Sequence, residues 1–244
     1  MENYQIERVK FIKEILPLFS ENFILKGGTA LSLFYGLNRY SEDLDFDCIS
    51  QNMNFINCLK SHKNFKDWNI NIKKDTDVSF KAMIDYGANS HLGNYPLKVE
   101  ISGRERNRLR LINDEKAFYQ KIEGVNVYNI DRLVAMKINA FTGRDKSRDF
   151  FDIGFLLENY PNVFNATQLE AIIAKINYFG EEELDLLLLE EIEEHKLIGT
   201  DRKIEVDDYA KKILKKSETL LNTLEEEKNL ELKEKNNFTR HKRI

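Results

Sequence analysis

Gly27-Gly28-Thr29, followed after thirteen intervening residues by Asp43-Leu44-Asp45, constrains this chain more than any other stretch. Adjacent glycines carry no β-carbon, so the backbone can turn tightly and come close to a phosphate. Two carboxylates at i and i+2 of a strand point to one face and can hold a divalent cation between them. Phe23-Ile24-Leu25 leads into the glycines, and Ala30 to Tyr35 reads as a short helix with Thr29 as its N-cap. Leu44 to Ile49 reads as a strand with Asp43, Asp45 and Asp47 on one face. The combination describes a site that grips a nucleoside triphosphate and its metal. A plain turn followed by a solvated acidic strand is the competing reading of the same residues.

A third carboxylate stands in Leu97-Lys98-Val99-Glu100-Ile101. A strand here buries Leu97, Val99 and Ile101 and turns Lys98 and Glu100 to the open side. Asp43, Asp45 and Glu100 then form an all-oxygen set suited to Mg2+ or Mn2+. Metals held this way activate an attacking hydroxyl and cradle a triphosphate, which is what nucleotidyl transfer requires. The alternative makes Glu100 an ordinary outward strand residue. Asp47 reads as a supporting or surface residue.

The chain has 244 residues, room for one large domain or two small ones, and its 16 Phe and 10 Tyr supply a sizeable core. No run nears the ~20 apolar residues of a membrane span. The start, Met1-Glu2-Asn3-Tyr4, lacks a signal-peptide pattern, so cytoplasm is the expected compartment, with no membrane partner. Cys48 and Cys58 have no Cys or His at metal-ligand spacing and read as free thiols. Apolar spacing predicts helices over residues 4–19, ending near Pro17, and over 55–65. It predicts strands over 68–74, 78–86, 97–101 and 125–128, then helices over 131–142, 148–158, 166–178, 182–196 and 207–233. The expected class is α+β. Residues 1–128 form a mixed sheet with flanking helices, and residues 129–244 an all-helical half completing the cleft. Residues 1–180 carry 24 Lys/Arg against 23 Asp/Glu, and residues 181–244 carry 13 against 18, so the body's basic groups are left to meet anions.

Two charged blocks lie further on. In Arg144-Asp145-Lys146-Ser147-Arg148-Asp149 and Asp152, one helix puts Asp145, Asp149 and Asp152 at i, i+4 and i+7 on one face. Arg144 and Arg148 share the next stripe with Asp152, and Lys137 lies seven residues before Arg144. Such a helix turns an edge to a charged cleft, or else is a solvated face with ordinary ion pairs. Arg104, Arg106, Arg108 and Arg110 alternate with other residues. In an extended segment they would point one way and clamp a triphosphate or an RNA backbone, whereas in a helix they would scatter. Phe118 and Tyr119 follow too far along the chain to serve them as stacking aromatics.

Leu25-Lys26-Gly27-Gly28-Thr29-Ala30-Leu31-Ser32-Leu33 and Arg39-Tyr40-Ser41-Glu42-Asp43-Leu44-Asp45-Phe46 resemble the first signature of the AbiEii/AbiGii toxin family of DNA polymerase β-like nucleotidyltransferases. Lys137-Ile138-Asn139-Ala140-Phe141 and Arg144-Asp145-Lys146-Ser147-Arg148-Asp149-Phe150-Phe151-Asp152-Ile153 resemble its second. The resemblance covers roughly residues 20–160 in order. It implies a nucleotidyltransferase fold in which Gly28 and Thr29 contact the triphosphate and Asp43 and Asp45 bind magnesium. Lys137 would neutralise phosphate charge, and Asp149 or Asp152 would complete the site. Gly28-Thr29 stands for the superfamily's glycine-serine, and Glu100 for what is often Asp. The implied activity is transfer of an NMP from an NTP to a hydroxyl acceptor, tRNA or another RNA, by a toxin-like protein of a bacterial toxin–antitoxin or phage-defence system with a cognate antitoxin. Gly27, Gly28, Thr29, Lys137, Arg144 and Arg148 are then the nucleotide-binding candidates. Two rivals share these residues: an antibiotic-modifying nucleotidyltransferase and a non-catalytic NTP-binding protein.

Overall fold

A computed structural model of the chain describes residues 2–19, 22–50, 53–111, 118–195, 206 and 208–241, the side chains of 194–195 and 234–241 excepted. Packing divides it into two compact units: Met1–Leu133, and Val134–His195 with the described part of Lys203–Ile244.

In the first unit, helix α1 (Asn3–Ile15) gives way at Leu16–Phe19 to a single 3-10 turn. Pro17 lacks the N–H that a further α-helical bond would need. Among the described residues nine strands follow: β1 (Phe23–Lys26), β2 (Leu44–Cys48), β3 (Asn69–Thr76), β4 (Ser79–Asp85), β5 (Asn89–Ser90), β6 (Gly93–Asn94), β7 (Leu97–Ser102), β8 (Tyr119–Ile122) and β9 (Val125–Tyr128). Between them lie α2 (Gly27–Phe34), α3 (Phe55–Leu59) and α4 (Arg106–Arg110). The helix expected over 55–65 ends at Leu59, because the next residues, Lys60 to Asn64, offer no apolar side chain to hold a helical face down.

Seven strands join in the order β3-β4-β7-β2-β1-β9-β8. The sheet is mixed: β2 runs parallel to β7 and β1 parallel to β9, while the remaining neighbours are antiparallel. Strand periodicity divides its two faces by chemistry. Phe23 and Leu25, Leu44 and Phe46, Phe80 and Ala82, and Val99 and Ile101 are buried on one face. Phe19 and Phe55, stacked at 4.8 Å, join that core beside Phe23, Phe46 and Phe80. Truncating one such ring costs about 3–5 kcal/mol. The other face carries Lys26, Asp45, Asp47, Lys81, Lys98 and Glu100.

The second unit is helical: α5, which runs Ile130–Gly143 and so begins in the first unit, then α6 (Ser147–Asn159), α7 (Ala166–Phe179), α8 (Glu181–His195) and α9 (Tyr209–His241). Lys196 and Asp207, ends of two expected helices, lie outside the described residues. Asn165 and Gln168 close a capping box at the start of α7. Phe141, Phe150, Ile153, Leu156, Ile172, Ile176 and Leu188 form the core, against which the Tyr209 ring sits edge-on to Phe150. Among the described residues no helix is long and apolar enough to cross a membrane.

Candidate active site

The glycine turn and the acidic strand meet on the polar sheet face. Gly27 has φ +76°, and a β-carbon placed on it would lie 2.9 Å from Asp45 Oδ2. Glycine is therefore required twice, for the left-handed backbone and for the closeness of the carboxylate. A β-carbon on Gly28 would meet Arg39 Nη2 at 2.7 Å and Ser41 Oγ at 2.8 Å. The helix starts at Gly27, with Lys26 as its N-cap, three residues earlier than expected. Thr29 is thus not a cap. Its buried hydroxyl donates to the Asp43 carbonyl and pairs with Ser41 Oγ, anchoring the segment that carries Asp43. The Gly27, Gly28 and Thr29 amides form the first turn of α2, where helix geometry leaves N–H groups without partners inside the helix and favours an anion.

Across the strands, Lys81, Glu100, Asp45 and Lys26 are successive register partners and form one charged row. Lys81 Nζ lies 2.7 Å from Glu100 Oε1. Lys98 Nζ lies 2.6 Å from Asp43 Oδ2 and 3.6 Å from Glu100 Oε1. Lys26 turns to Asp47 at 2.5 Å, and the Tyr128 hydroxyl donates to the other Asp47 oxygen at 2.9 Å. Asp47 is accordingly a buried, fully engaged support. Among the described residues Asp45 forms no ion pair. Burial first, then the Asp43 and Glu100 charges, push its carboxyl above the usual range. Glu100 moves the other way: burial opposes its charge, but Lys81 and Lys98 outweigh it and hold the carboxyl below its ordinary value.

This donor set fits a hard divalent cation. Three carboxylates supply oxygen ligands, and the mutual repulsion at Asp45 is what a cation relieves. Among the described residues no three acidic, His or Cys side chains are already gathered as a metal cage. The Lys98 ammonium stands between Asp43 and Glu100.

The Asp43 segment is also held from α1. Arg8, 1 % exposed, donates to the Glu42 carbonyl at 2.8 Å, to Tyr86 Oη at 2.8 Å and to the Tyr95 carbonyl at 2.5 Å. The Tyr95 hydroxyl donates to Glu42 Oε2 at 2.8 Å. The residue preceding Asp43 is therefore fixed through both backbone and side chain. Sequence reading missed Arg8, Arg39 and Lys81 as members of this site. It placed Lys98 on the open face without a role, although its position two residues before Glu100 was the available signal.

The second charged block forms a separate network within the helical unit. Lys137 Nζ lies 2.5 Å from Asp152 Oδ2 and 3.2 Å from Asp149 Oδ1. Arg144 grips Asp149 with two bonds, Nε at 2.6 Å and Nη2 at 3.1 Å. Both aspartates are 0 % exposed. They face the α5 side chain Lys137, so the expected charged edge or solvated face is replaced by an inward ion cluster. Asp145 precedes α6 and bonds Lys175 of α7 at 2.6 Å, off the expected Asp149/Asp152 face. Arg148 reaches toward Glu191 of α8 at 3.9 Å. Arg144 keeps 52 % of its side chain exposed and is the network's outward cation.

The family described as the nucleotidyl transferase AbiEii toxin of type IV toxin–antitoxin systems matches residues 11–226, and the chain belongs to it. A candidate nucleotidyltransferase from Helicobacter pylori superposes with a TM-score of 0.75 at 27 % identity, over 93 % of this chain and 98 % of its own. JHP933, also from H. pylori, gives 0.72 at 28 % identity, over 94 % and 97 %. MenT4, a nucleotidyltransferase toxin of Mycobacterium tuberculosis, shares the fold, with a TM-score of 0.50 at 12 % identity over 89 % of this chain and 84 % of its own. No curated protein matches the chain in sequence. The chain is a nucleotidyltransferase of this toxin family, with the mixed sheet and helical C-terminal region expected of it.

Proposed function

We propose that this AbiEii-family nucleotidyltransferase moves a nucleoside monophosphate from an NTP to a hydroxyl of an RNA acceptor, tRNA among the candidates, in the bacterial cytoplasm under the control of a cognate antitoxin. The observation that carries the reading is the register pairing of Asp45 with Glu100 beside Gly27, on a face where, among the described residues, Asp45 forms no ion pair. Asp43, Asp45 and Glu100 would hold Mg2+ or Mn2+. The bound cation would supply Lewis-acid neutralisation of charge building on the phosphoryl oxygens.

The chain's own groups do the rest. Amides of the first α2 turn take a phosphate oxygen, while Gly27 keeps that approach open. The acceptor oxygen forms a bond to the α-phosphorus, the bond to the bridging oxygen breaks, and pyrophosphate leaves. The hydroxyl proton passes to a carboxylate of the trio. Thr29 and Arg8 keep the Asp43 segment in place through the Asp43 and Glu42 carbonyls. Within the helical unit, Lys137, Asp149 and Asp152 form a buried ion cluster that holds Arg144, whose guanidinium stays half exposed.

The test incubates the full chain with each α-labelled NTP and total RNA, with and without Mg2+. Labelled RNA from the wild type and none from Asp43→Ala/Asp45→Ala supports the reading. Equal labelling by the double variant would refute it.

A further inference from the structure

The arginine segment 104–110 is not extended. It forms turn and helix, with Leu109 buried as the anchor of α4 and Arg106 turned inward to donate to the Asp77 carbonyl at 3.1 Å. Arg104, Arg108 and Arg110 remain exposed, Arg108 with 61 % of its side chain. The fold also brings in the aromatic that chain distance had set aside. Phe118 lies with the Arg132 guanidinium 4.0 Å from its ring centre and that of Arg108 at 5.8 Å.

This surface borders the carboxylate face. Lys121 pairs with Asn126 and Tyr119 with Tyr128 across β8 and β9. Cross-strand partners share a face, and Tyr128 binds Asp47 on the face of Asp45. Glu105 and Arg108 both act electrostatically on the Tyr128 hydroxyl, which ties the start of α4 to the same place. The neighbouring acids are matched: Glu105 pairs with Arg108 at 3.3 Å and Asp131 with Arg132 at 3.8 Å. Among the described residues Arg104, Arg110 and Lys121 have no ion-pair partner.

We infer that α4, Phe118 and the β8 edge form the docking surface for the acceptor RNA, with Arg104, Arg110 and Lys121 on its phosphates and the guanidinium-flanked Phe118 ring against a base. The inference rests on the proposed RNA acceptor and adds where that acceptor is held. Exposed cations bordering a catalytic face suit a polyanion longer than one triphosphate, and an aromatic ring with guanidinium groups beside it suits an unpaired base.

The experiment measures binding of a tRNA transcript and of an unstructured RNA oligonucleotide to the full chain by anisotropy across a salt series. The proteins are wild type, Arg104→Ala/Arg110→Ala/Lys121→Ala, and the charge-keeping Arg104→Lys/Arg110→Lys/Lys121→Arg. The alanine variant is expected to bind at least about tenfold more weakly, with a salt slope lower by about 2, as three lost phosphate contacts require. Its melting temperature and its KM for NTP should stay unchanged, and the charge-keeping variant should bind like wild type. Unchanged RNA affinity and slope in the alanine variant overturns the inference. A raised KM for NTP with unchanged RNA affinity also overturns it and assigns the cations to the triphosphate. Arginine-dependent RNA binding by a wild type that transfers no nucleotide leaves the surface standing and removes the proposed reaction instead.

Discussion

The two charge clusters of this protein are built from the same residue types and do opposite things. On the first unit's sheet, Lys98 pairs with Asp43 and Lys81 with Glu100, while among the described residues Asp45 forms no ion pair and burial, with the Asp43 and Glu100 charges, pushes its carboxyl upward. In the helical unit, Asp149 is fully buried, yet Arg144 and Lys137 outweigh the burial penalty and hold its carboxyl below the usual range. The first cluster leaves one carboxylate without an ion pair among the described residues and lies against a helix start. The second is neutralised from within. Only partly compensated repulsion is what a bound cation would relieve, whereas internal compensation marks a joint between helices.

The comparison is broken or sharpened by substitution. Asp43→Ala/Asp45→Ala should lower nucleotide transfer by at least about 10³-fold, the several kcal/mol that lost metal neutralisation implies, with the fold intact by circular dichroism. Asp149→Asn should act on the fold, lowering stability by about 3 kcal/mol in urea titration, because it leaves Lys137 and Arg144 undercompensated.

The pH dependence of the second cluster follows from sign. Asp149 has a folded value below its unfolded one, so its stabilisation is present above the unfolded value, about 4. It is lost as pH falls from there through the depressed folded value. Melting temperatures of wild type and Asp149→Asn should therefore converge across that acidic window. Parallel curves would show that Asp149 is not the group responsible.

Gly27→Ala is expected to cost about 1–2 kcal/mol for the left-handed backbone alone, with further loss of activity from the displaced Asp45 carboxylate. The smallest effect carries the contrasting sign. Asp45→Asn should raise stability by about 1 kcal/mol, read as a melting-temperature increase of a few degrees, because it removes like-charge repulsion while abolishing activity.

What was legible in the sequence was whatever depends on period and proximity along the chain. Leu97, Val99 and Ile101 alternate with Lys98 and Glu100, so strand β7 and its polar face could be read directly. The expectation that Thr29 caps α2 failed because a helix opened by Gly27 and Gly28 runs against glycine's low helix propensity, which tertiary closeness to Asp45 and Arg39 overrides. The arginine alternation imitated a strand, but Leu109 is what the core needed, and a helical turn buries it. Lys81 and Arg8 gave no local sign, since their partners are set by strand register and by a contact with Glu42 far along the chain. Phe118 was discounted for the same reason: the distance along the chain to Arg108 says nothing of the fold that brings them together.

Divalent-cation binding tests the central claim most directly. Titrating Mn2+ into the full chain, followed by electron paramagnetic resonance of the free ion, should show saturable binding that is lost in Asp43→Asn/Asp45→Asn and retained in Asp149→Asn. Wild-type and Asp43→Asn/Asp45→Asn curves that coincide, or binding that disappears with Asp149→Asn while the protein stays folded, would contradict the assignment of the cation to the sheet carboxylates.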